Sequence, residues 1–363
     1  MIKTINRSVT SCSRRLLNGS NPWIGHKRTA RMLSDPENKG VRQDHVNFDT
    51  LGTWDARIDF PMLLKQSIKH GKPIPEIRAV DAASATVIGR RKSQEDRHRI
   101  KELEPNLLYF AVFDGHGGSP AAEFCHQHME EYIEYWLARK ERDLEKILQH
   151  AFVETNNAFA RWLVYNWSGH EQSTAGTTAT VCLLRNSIEL VIGQVGDSRA
   201  ILCRNGEAIR LTNDHSAHQT MEKERIIKSG GTIKTDSVGR ALVNSRLAMS
   251  RSIGDLDLKR YGVSALPDTR SVEIKHGKDA CVILTTDGVN FVMSDQEVTN
   301  AVNSCTHPPE SAQLVVDQAL NYACEDNATA IVVPFGAWGK YMNYSHKISS
   351  YSFGRELSKS VRF

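Results

Sequence analysis

Four aspartates share one setting in this chain. Asp114 in FDGHGG, Asp197 in VGDSR, Asp287 in TTDGV and Asp326 in CEDNA each stand where a strand-like run meets glycine or a tight turn. Glu95 and Asp96 close RRKSQED beside another such run. Taken singly, an Asp-Gly after a strand is usually just a turn; the repetition of the setting is what points to chemistry. If these carboxylates converge, like charges face one another at low effective dielectric, which is costly unless divalent cations neutralise them. An all-oxygen ligand set selects hard ions, Mg2+ or Mn2+, over zinc. Gly115 and Gly117 lack a Cβ, so backbone carbonyls and waters can come close to an ion there. His116, in the same turn, is placed to act as a general acid, and Arg91 supplies a guanidinium that can fork onto phosphoryl oxygens. Carboxylates, hard ions and an arginine together describe metal-assisted phosphoester hydrolysis.

The elements that must deliver these groups follow from pattern. SATVIGRRK and LLYFAVF read as strands, and after Pro120 the pattern changes to two long helices, AAEFCHQHMEEYIEYWLARK and DLEKILQHAFVETNNAFARWLV. The middle of the chain, from TTATVCLL to EAIRLT, alternates or runs apolar and is punctuated by RNS and by Asn205-Gly206, which predicts an antiparallel meander. A short helix, MEKERIIKSGG, opens a stretch with little regular period to about Arg270, and a loop that long inside a domain is expected to be functional. ACVILTTDG is a further buried strand, Ser294 to Glu297 reads as a capping box opening a helix, and EDNATAIVV leads an acidic turn straight into a strand. Strands and helix pairs arriving in blocks predict antiparallel sheets with helices on their outer faces, not alternating parallel units.

Composition narrows the class. The chain has 363 residues, 40% apolar and 24% charged, enough for a large core, with no apolar run long enough to cross a bilayer. Its seven cysteines are scattered without a CxxC pair, which fits a reducing compartment better than a disulfide framework or zinc ribbon. CHQH at Cys125 to His128 lies on a helix, where neighbouring side chains diverge, and reads as surface and core. The formal net charge is +4, but the first 34 residues hold seven Lys/Arg and no acid, so the remainder carries −3. A basic excess confined to one terminus argues against nucleic acid as a partner. Arg- and Ser-rich, acid-free and without a continuous apolar stretch, residues 1–34 match a mitochondrial presequence. Residues 35–82 read as a linker and anchoring segment, 83–336 as the catalytic domain, and 337–363 as a weakly ordered tail.

In order and spacing, RRKSQEDRH, FAVFDGHGG, TAGTTATV, VGDSRAILCRNG, EKERIIKSGG, RLAMSRSIGD, LTTDGV and EDNATAIVV resemble the metal-dependent protein serine/threonine phosphatases of type 2C, over about Ile88 to Pro334. The resemblance implies an α+β fold: a four-layer α-β-β-α sandwich of two central antiparallel sheets flanked by helix pairs, with two Mn2+ or Mg2+ ions in a cleft at one end. Carried onto matching positions, it implies that Asp114 bridges both ions, that Glu95 (through water) and the Gly115 carbonyl serve one, and that Asp287 and Asp326 serve the other. Asp197 matches a residue linked to a third, weaker ion. Arg91 would hold the substrate phosphate, His116 would protonate the leaving alkoxide, and a hydroxide bridging the ions would attack phosphorus in line. The irregular 213–270 stretch matches a flap beside the cleft. Within the family, the terminal address, RLAMSRSIGDLDLK and PFGAWGKY look most like the branch of the mitochondrial matrix acting on the branched-chain 2-oxoacid dehydrogenase complex. Asn290, Phe291 and Leu266 depart from the family pattern, which puts ion affinity and turnover in question and keeps a weak or inactive phosphatase-fold binding module as the alternative. A serine hydrolase is a poorer reading, because the elbow-like GDSRA needs a helix after Ser198 and a strand-like run follows it.

Overall fold

A computed structural model describes residues 58–166, 174–237 and 239–342. The presequence-like 1–34, the first part of the 35–82 segment and the tail beyond 342 lie outside the described residues. Two five-stranded antiparallel sheets form the centre. In the first, the strands run in the order Ala83–Val87, Ala328–Pro334, Asp279–Thr285, Arg199–Arg204, Glu207–Arg210; in the second, Asp268–Glu273, Glu189–Val195, Ala179–Arg185, Leu107–Phe113, Arg97–Glu104.

The run Leu107–Phe113 is buried at every position because both of its faces are covered. Side chains alternate along a strand, so Leu107, Tyr109, Ala111 and Phe113 pack with the helices Pro120–Ala138 and Leu144–Asn166, whereas Leu108, Phe110 and Val112 enter the core between the sheets. The first sheet repeats the arrangement. Leu202, Val282, Leu284, Ile331 and Val333 point inward, while Ile201, Ile283, Ala330 and Val332 meet Val298 and Val302 of the helix Asp295–Asn303 and Val315 and Val316 of Pro308–Asn321. The result is the expected four-layer α-β-β-α sandwich.

Local chemistry sets the ends of these elements. Asn186 and Ser187 (φ 53° and 56°), and Asn205 and Gly206 (φ 57° and 83°), make paired positive-φ turns, the hairpin geometry whose twist matches that of the flanking strands. Ser294 accepts the Glu297 N–H while the Glu297 carboxylate accepts the Ser294 N–H at 2.8 Å, the reciprocal box read from the sequence. The strand expected across SATVIGRRK stops at Val87. Gly89 turns the chain there at φ +63°, and a Cβ on it would stand 2.1 Å from the carbonyl oxygen of Asp326. Past residue 336, Trp338 is 2% exposed, donates its indole N–H to the Thr306 carbonyl at 2.9 Å, and joins Ala337 and Tyr341 in the outer core of the first sheet. No helix among the described residues is long and apolar enough to cross a membrane.

The flap has its own small core of Ala217, Ile226, Val243, Leu247, Leu258 and Val263. It is pinned by Glu222, whose carboxylate lies 2.7 Å from both Arg225 and Arg251, with Arg251 reaching on to Asp268 at 2.6 Å.

Replacing Phe110 by Ala should cost about 3–5 kcal/mol, the price of a void between tightly packed layers. Removing the cap with Ser294→Ala should cost about 1 kcal/mol. Chemical denaturation of the two variants measures both, and equal losses would contradict the layer assignment.

Candidate active site

Antiparallel register gathers the acidic residues at one end of the sandwich. In the second sheet Val112 lies opposite Thr180 and Ala179 opposite Val195, so Phe113 and Val195 finish at the same edge and release Asp114 and Asp197 there. In the first sheet Val87 faces Ala328, and Thr285 faces Ala330 and Arg199, which brings Asp287 and Asp326 to the matching edge. Between them lies a cleft of about 890 Å³ lined by Arg91, Glu95, Asp114, Gly115, His116, Gly117, Asp197, Asp287 and Asp326, so that of the residues singled out from the sequence only Asp96 is not in its lining.

Neighbouring groups hold each of these in place. Asp114 donates its N–H to Thr178 Oγ1 (3.1 Å), and its carbonyl accepts from the Thr178 N–H (2.9 Å) and the Thr177 hydroxyl (3.0 Å). Asp287 donates its N–H to Asp114 Oδ2 at 3.4 Å, a link between the two sheets. Asn327 secures the loop carrying Glu95: its Oδ1 accepts the Glu95 N–H at 2.8 Å and its Nδ2 donates to the carbonyls of Ile88 and Ser93. The Glu95 carboxylate accepts from the Ser93 hydroxyl and the Gly118 N–H. Gly288 is required by this approach, since a Cβ would sit 2.0 Å from the Asn327 carbonyl oxygen. Arg91 Nη2 donates to Asp326 Oδ2 at 2.6 Å.

The electrostatics explain why the cleft suits a cation. Burial pushes the Asp114 carboxyl well above the ordinary range, and the charges of Asp287, Asp96 and Asp197 push it further. Asp287 is raised to about 8, by burial first and then by Asp197 and Asp326. Asp197 is raised by burial and by Asp214, and its Oδ1 is a buried acceptor with no hydrogen-bond partner. Asp96, buried behind Glu95, is raised to about 6 by burial even though the hydroxyls of Thr329 (2.6 Å) and Thr286 (2.9 Å) donate to it. Repulsion among carboxylates with a solvent-excluded orphan oxygen is what a bound dication relieves, and the all-oxygen donors fit Mg2+ or Mn2+. Among the described residues no three acidic, His or Cys side chains already clasp a single point; the aspartates ring the cleft, and Arg91 occupies one of them.

Asp255 and Asn327 are the residues that sequence reasoning missed. Asp255 Oδ2 lies 2.9 Å from His116 Nε2, and the only sign of it was the motif RSIGD. The departures from the family pattern have local accounts. Asn290 accepts from the Thr285 hydroxyl at 2.7 Å and donates to the Asp197 carbonyl at 3.4 Å. The Leu266 carbonyl accepts from Arg251 at 3.0 Å, and Phe291 lines the cleft with 67% of its surface exposed. Of the loop histidines, His215 accepts the Gly196 N–H at 3.1 Å and His218 lies 3.1 Å from the Gly239 carbonyl. The serine hydrolase reading fails on geometry: Ser198 is wholly buried, its hydroxyl bonds Thr178 at 2.7 Å, and a strand follows it.

Comparison with known proteins agrees with this geometry. The family model for protein phosphatase 2C matches residues 80–328. A Xenopus laevis protein named protein phosphatase 1K, mitochondrial, is 51% identical over 320 residues, covering 88% of this chain and 84% of the relative. Protein phosphatase 2C homolog 1 of Saccharomyces cerevisiae is 36% identical over 263 residues, covering 67% of this chain and 88% of its own. The crystal structure of a serine-threonine phosphatase 2C from Toxoplasma gondii superposes with a TM-score of 0.64 at 26% identity, covering 70% of this chain and 94% of the other. With motifs, layers and cleft in agreement, the chain belongs to the protein phosphatase 2C family and is a protein serine/threonine phosphatase of that metal-dependent class.

Proposed function

We propose that the cleft hydrolyses phosphoserine and phosphothreonine monoesters with two divalent ions, Mg2+ or Mn2+, and that Asp197 serves a third, weaker one. Asp114 would stand between the two ions, Glu95 (through water) and the Gly115 carbonyl would serve one, and Asp287 with Asp326 the other. The observation that carries the reading is the convergence of these residues with Arg91 and His116 on one cleft at the shared end of both sheets. When bound, the ions supply positive charge to the phosphoryl oxygens and a water acidic enough to be the nucleophile at neutral pH. The chain's own residues do the rest. Of the Arg91 guanidinium nitrogens, only Nη2 has a protein partner among the described residues, so the remaining donors of its fork are free for phosphoryl oxygens. His116 would deliver a proton to the leaving serine or threonine oxygen, and the Asp255 carboxylate favours the protonated imidazole. Burial alone would lower the His116 pKa, but the Asp255 charge and hydrogen bond outweigh it and the net shift is upward.

The likeness of RLAMSRSIGDLDLK and PFGAWGKY to the branch acting on the branched-chain 2-oxoacid dehydrogenase complex supports the mitochondrial matrix and a subunit of that complex as location and substrate, and two further observations support a mitochondrial location. Residues 1–34 are basic and acid-free, and the Xenopus relative carries the word mitochondrial in its name.

Phosphate release from a phosphoserine peptide should require Mn2+ or Mg2+, stop on chelation with EDTA, and fall by about two orders of magnitude or more in Asp114→Asn, the scale of losing a group that organises transition-state charge. EDTA-insensitive turnover would contradict the mechanism, and an inactive parent with Mn2+ would favour the binding module.

A carboxyl raised in the folded state contributes stability at low pH and loses it as pH climbs through the folded value. The ion-free protein should therefore lose the Asp287 contribution between about pH 4 and pH 8. Asp287→Asn should raise the Tm of the ion-free protein more at pH 8 than at pH 5, at about 2–4 °C per kcal/mol, and weaken stabilisation by Mn2+. Equal shifts at both pH values would contradict the crowding of charge.

In an import assay with isolated mitochondria, the full chain should enter the matrix and a chain lacking residues 1–34 should stay outside. Import of the shortened chain would contradict the address.

A further inference from the structure

His116 is held by a small construction beside the ion cleft. A three-stranded sheet places Gly176 opposite both His116 and Gly254, so the residue following Gly254 comes up against the histidine ring. That residue, Asp255, is 2% exposed, and its Oδ2 lies 2.9 Å from His116 Nε2. Its carboxylate also accepts the Ser252 hydroxyl at 2.5 Å. Lys259 donates to the Ser252 carbonyl at 2.6 Å; burial pushes its ammonium down to about 8, and the charge of Asp255 works against that loss. Asp255 sits at φ 46°, a left-handed conformation that few residues other than Gly, Asn and Asp accept. Its N–H is anchored on the Ala175 carbonyl at 2.9 Å. A Cβ on Gly176 would lie 2.2 Å from Asp255 Oδ2 and 2.4 Å from His116 Nε2, so the missing side chain at this position is the space the ion pair occupies.

The second ring nitrogen, Nδ1, is buried and has no hydrogen-bond partner. A buried ring nitrogen without a partner calls for a reason, and a place for a substrate oxygen is one. Nothing in the ion cleft itself requires a lysine, a serine and a strained aspartate behind the histidine.

We propose that Asp255 is a positioning residue for His116, seated by Gly176, Ser252 and Lys259, which fixes Nε2–H on its carboxylate so that Nδ1–H is the proton given to the leaving oxygen. This rests on the reading of His116 as the acid. As the P–O bond breaks, its electron pair stays on the serine or threonine oxygen, which takes the Nδ1 proton. The product is a free alcohol, the phosphoryl group departs as phosphate with the oxygen of the attacking water, and the imidazole is left neutral with Nε2–H still on Asp255.

A proton is needed only when the leaving group is a strong base. An alkoxide must be protonated; nitrophenolate leaves as the anion. The test therefore compares kcat for a phosphoserine peptide with kcat for p-nitrophenyl phosphate, using the full chain with saturating Mn2+. In Asp255→Asn, which keeps the left-handed backbone, and in Gly176→Ala, which displaces the pair without removing charge, the peptide-to-nitrophenyl ratio should fall by about 10²-fold, the scale of general acid catalysis. His116→Gln should depress the ratio at least as far. The rise in Tm on adding Mn2+ should match the parent in all three, because the ion ligands are untouched. If folded Asp255→Asn or Gly176→Ala loses both activities in equal proportion, Asp255 is structural and the proposal is overturned. If His116→Gln leaves the ratio unchanged, it is the acid assignment itself that fails.

Discussion

Crowded negative charge at the shared end of two sheets is the constraint from which the rest of the molecule follows. Asp114, Asp197, Asp287 and Asp326 come from four strand ends in two different sheets, and burial with repulsion from neighbouring carboxylates, Asp214 in the case of Asp197, raises the first three above the ordinary carboxylate range. Folding places them where they are unfavourable as bare anions. A sandwich with fully buried strands tolerates this because its stability comes from elsewhere: three large apolar clusters, one between the sheets and one under each helix pair.

The surroundings of the cleft serve to keep the acids from drifting apart. Thr177 and Thr178 grip the Asp114 backbone, Asn327 ties the Glu95 loop to the strand that follows Asp326, and Gly288 lets those backbones meet. These contacts are backbone-directed, so they fix positions without neutralising the carboxylates. Of the cations lining the cleft, which include Arg90, Lys92 and Arg240, only Arg91 is hydrogen-bonded to one of the four aspartates, and the remaining compensation is left to ions. The flap side is different: Glu222 is held far below its ordinary pKa, because two arginines and the Ser250 hydroxyl overcome its burial. That cluster is compensated internally and reads as structure, whereas the cleft is uncompensated and reads as function.

Much of this was legible in the amino-acid order because the same physics shapes both. A strand covered on both faces has no solvent face to encode, so LLYFAVF and ACVILT stand out as unbroken apolar runs, and the acids directly after them mark one edge. The Asn205-Gly206 turn and the Ser294 box were visible for equally local reasons. What stayed hidden depends on partners far apart in the chain. Asp255 lies 139 positions from His116, and no spacing rule links RSIGD to FDGHGG. Asn327 looked like part of an acidic turn; its work is done through Ile88, Ser93 and Glu95, more than 230 positions away. The end of the first strand at Val87 depends on Gly89 meeting the Asp326 carbonyl, a contact that propensity cannot express. Aromatic residues past 336 were read as tail because their chain is polar and short of period, while burial of Trp338 and Tyr341 depends on a socket built by distant helices.

The most direct test of the central claim is to locate the ions. Crystals grown or soaked with Mn2+ and measured near the manganese absorption edge should show anomalous density in the cleft bounded by Asp114, Asp287 and Asp326, with Arg91 drawn off Asp326. Ion density confined to the surface, with the four aspartates protonated and unchanged in position, would contradict the account.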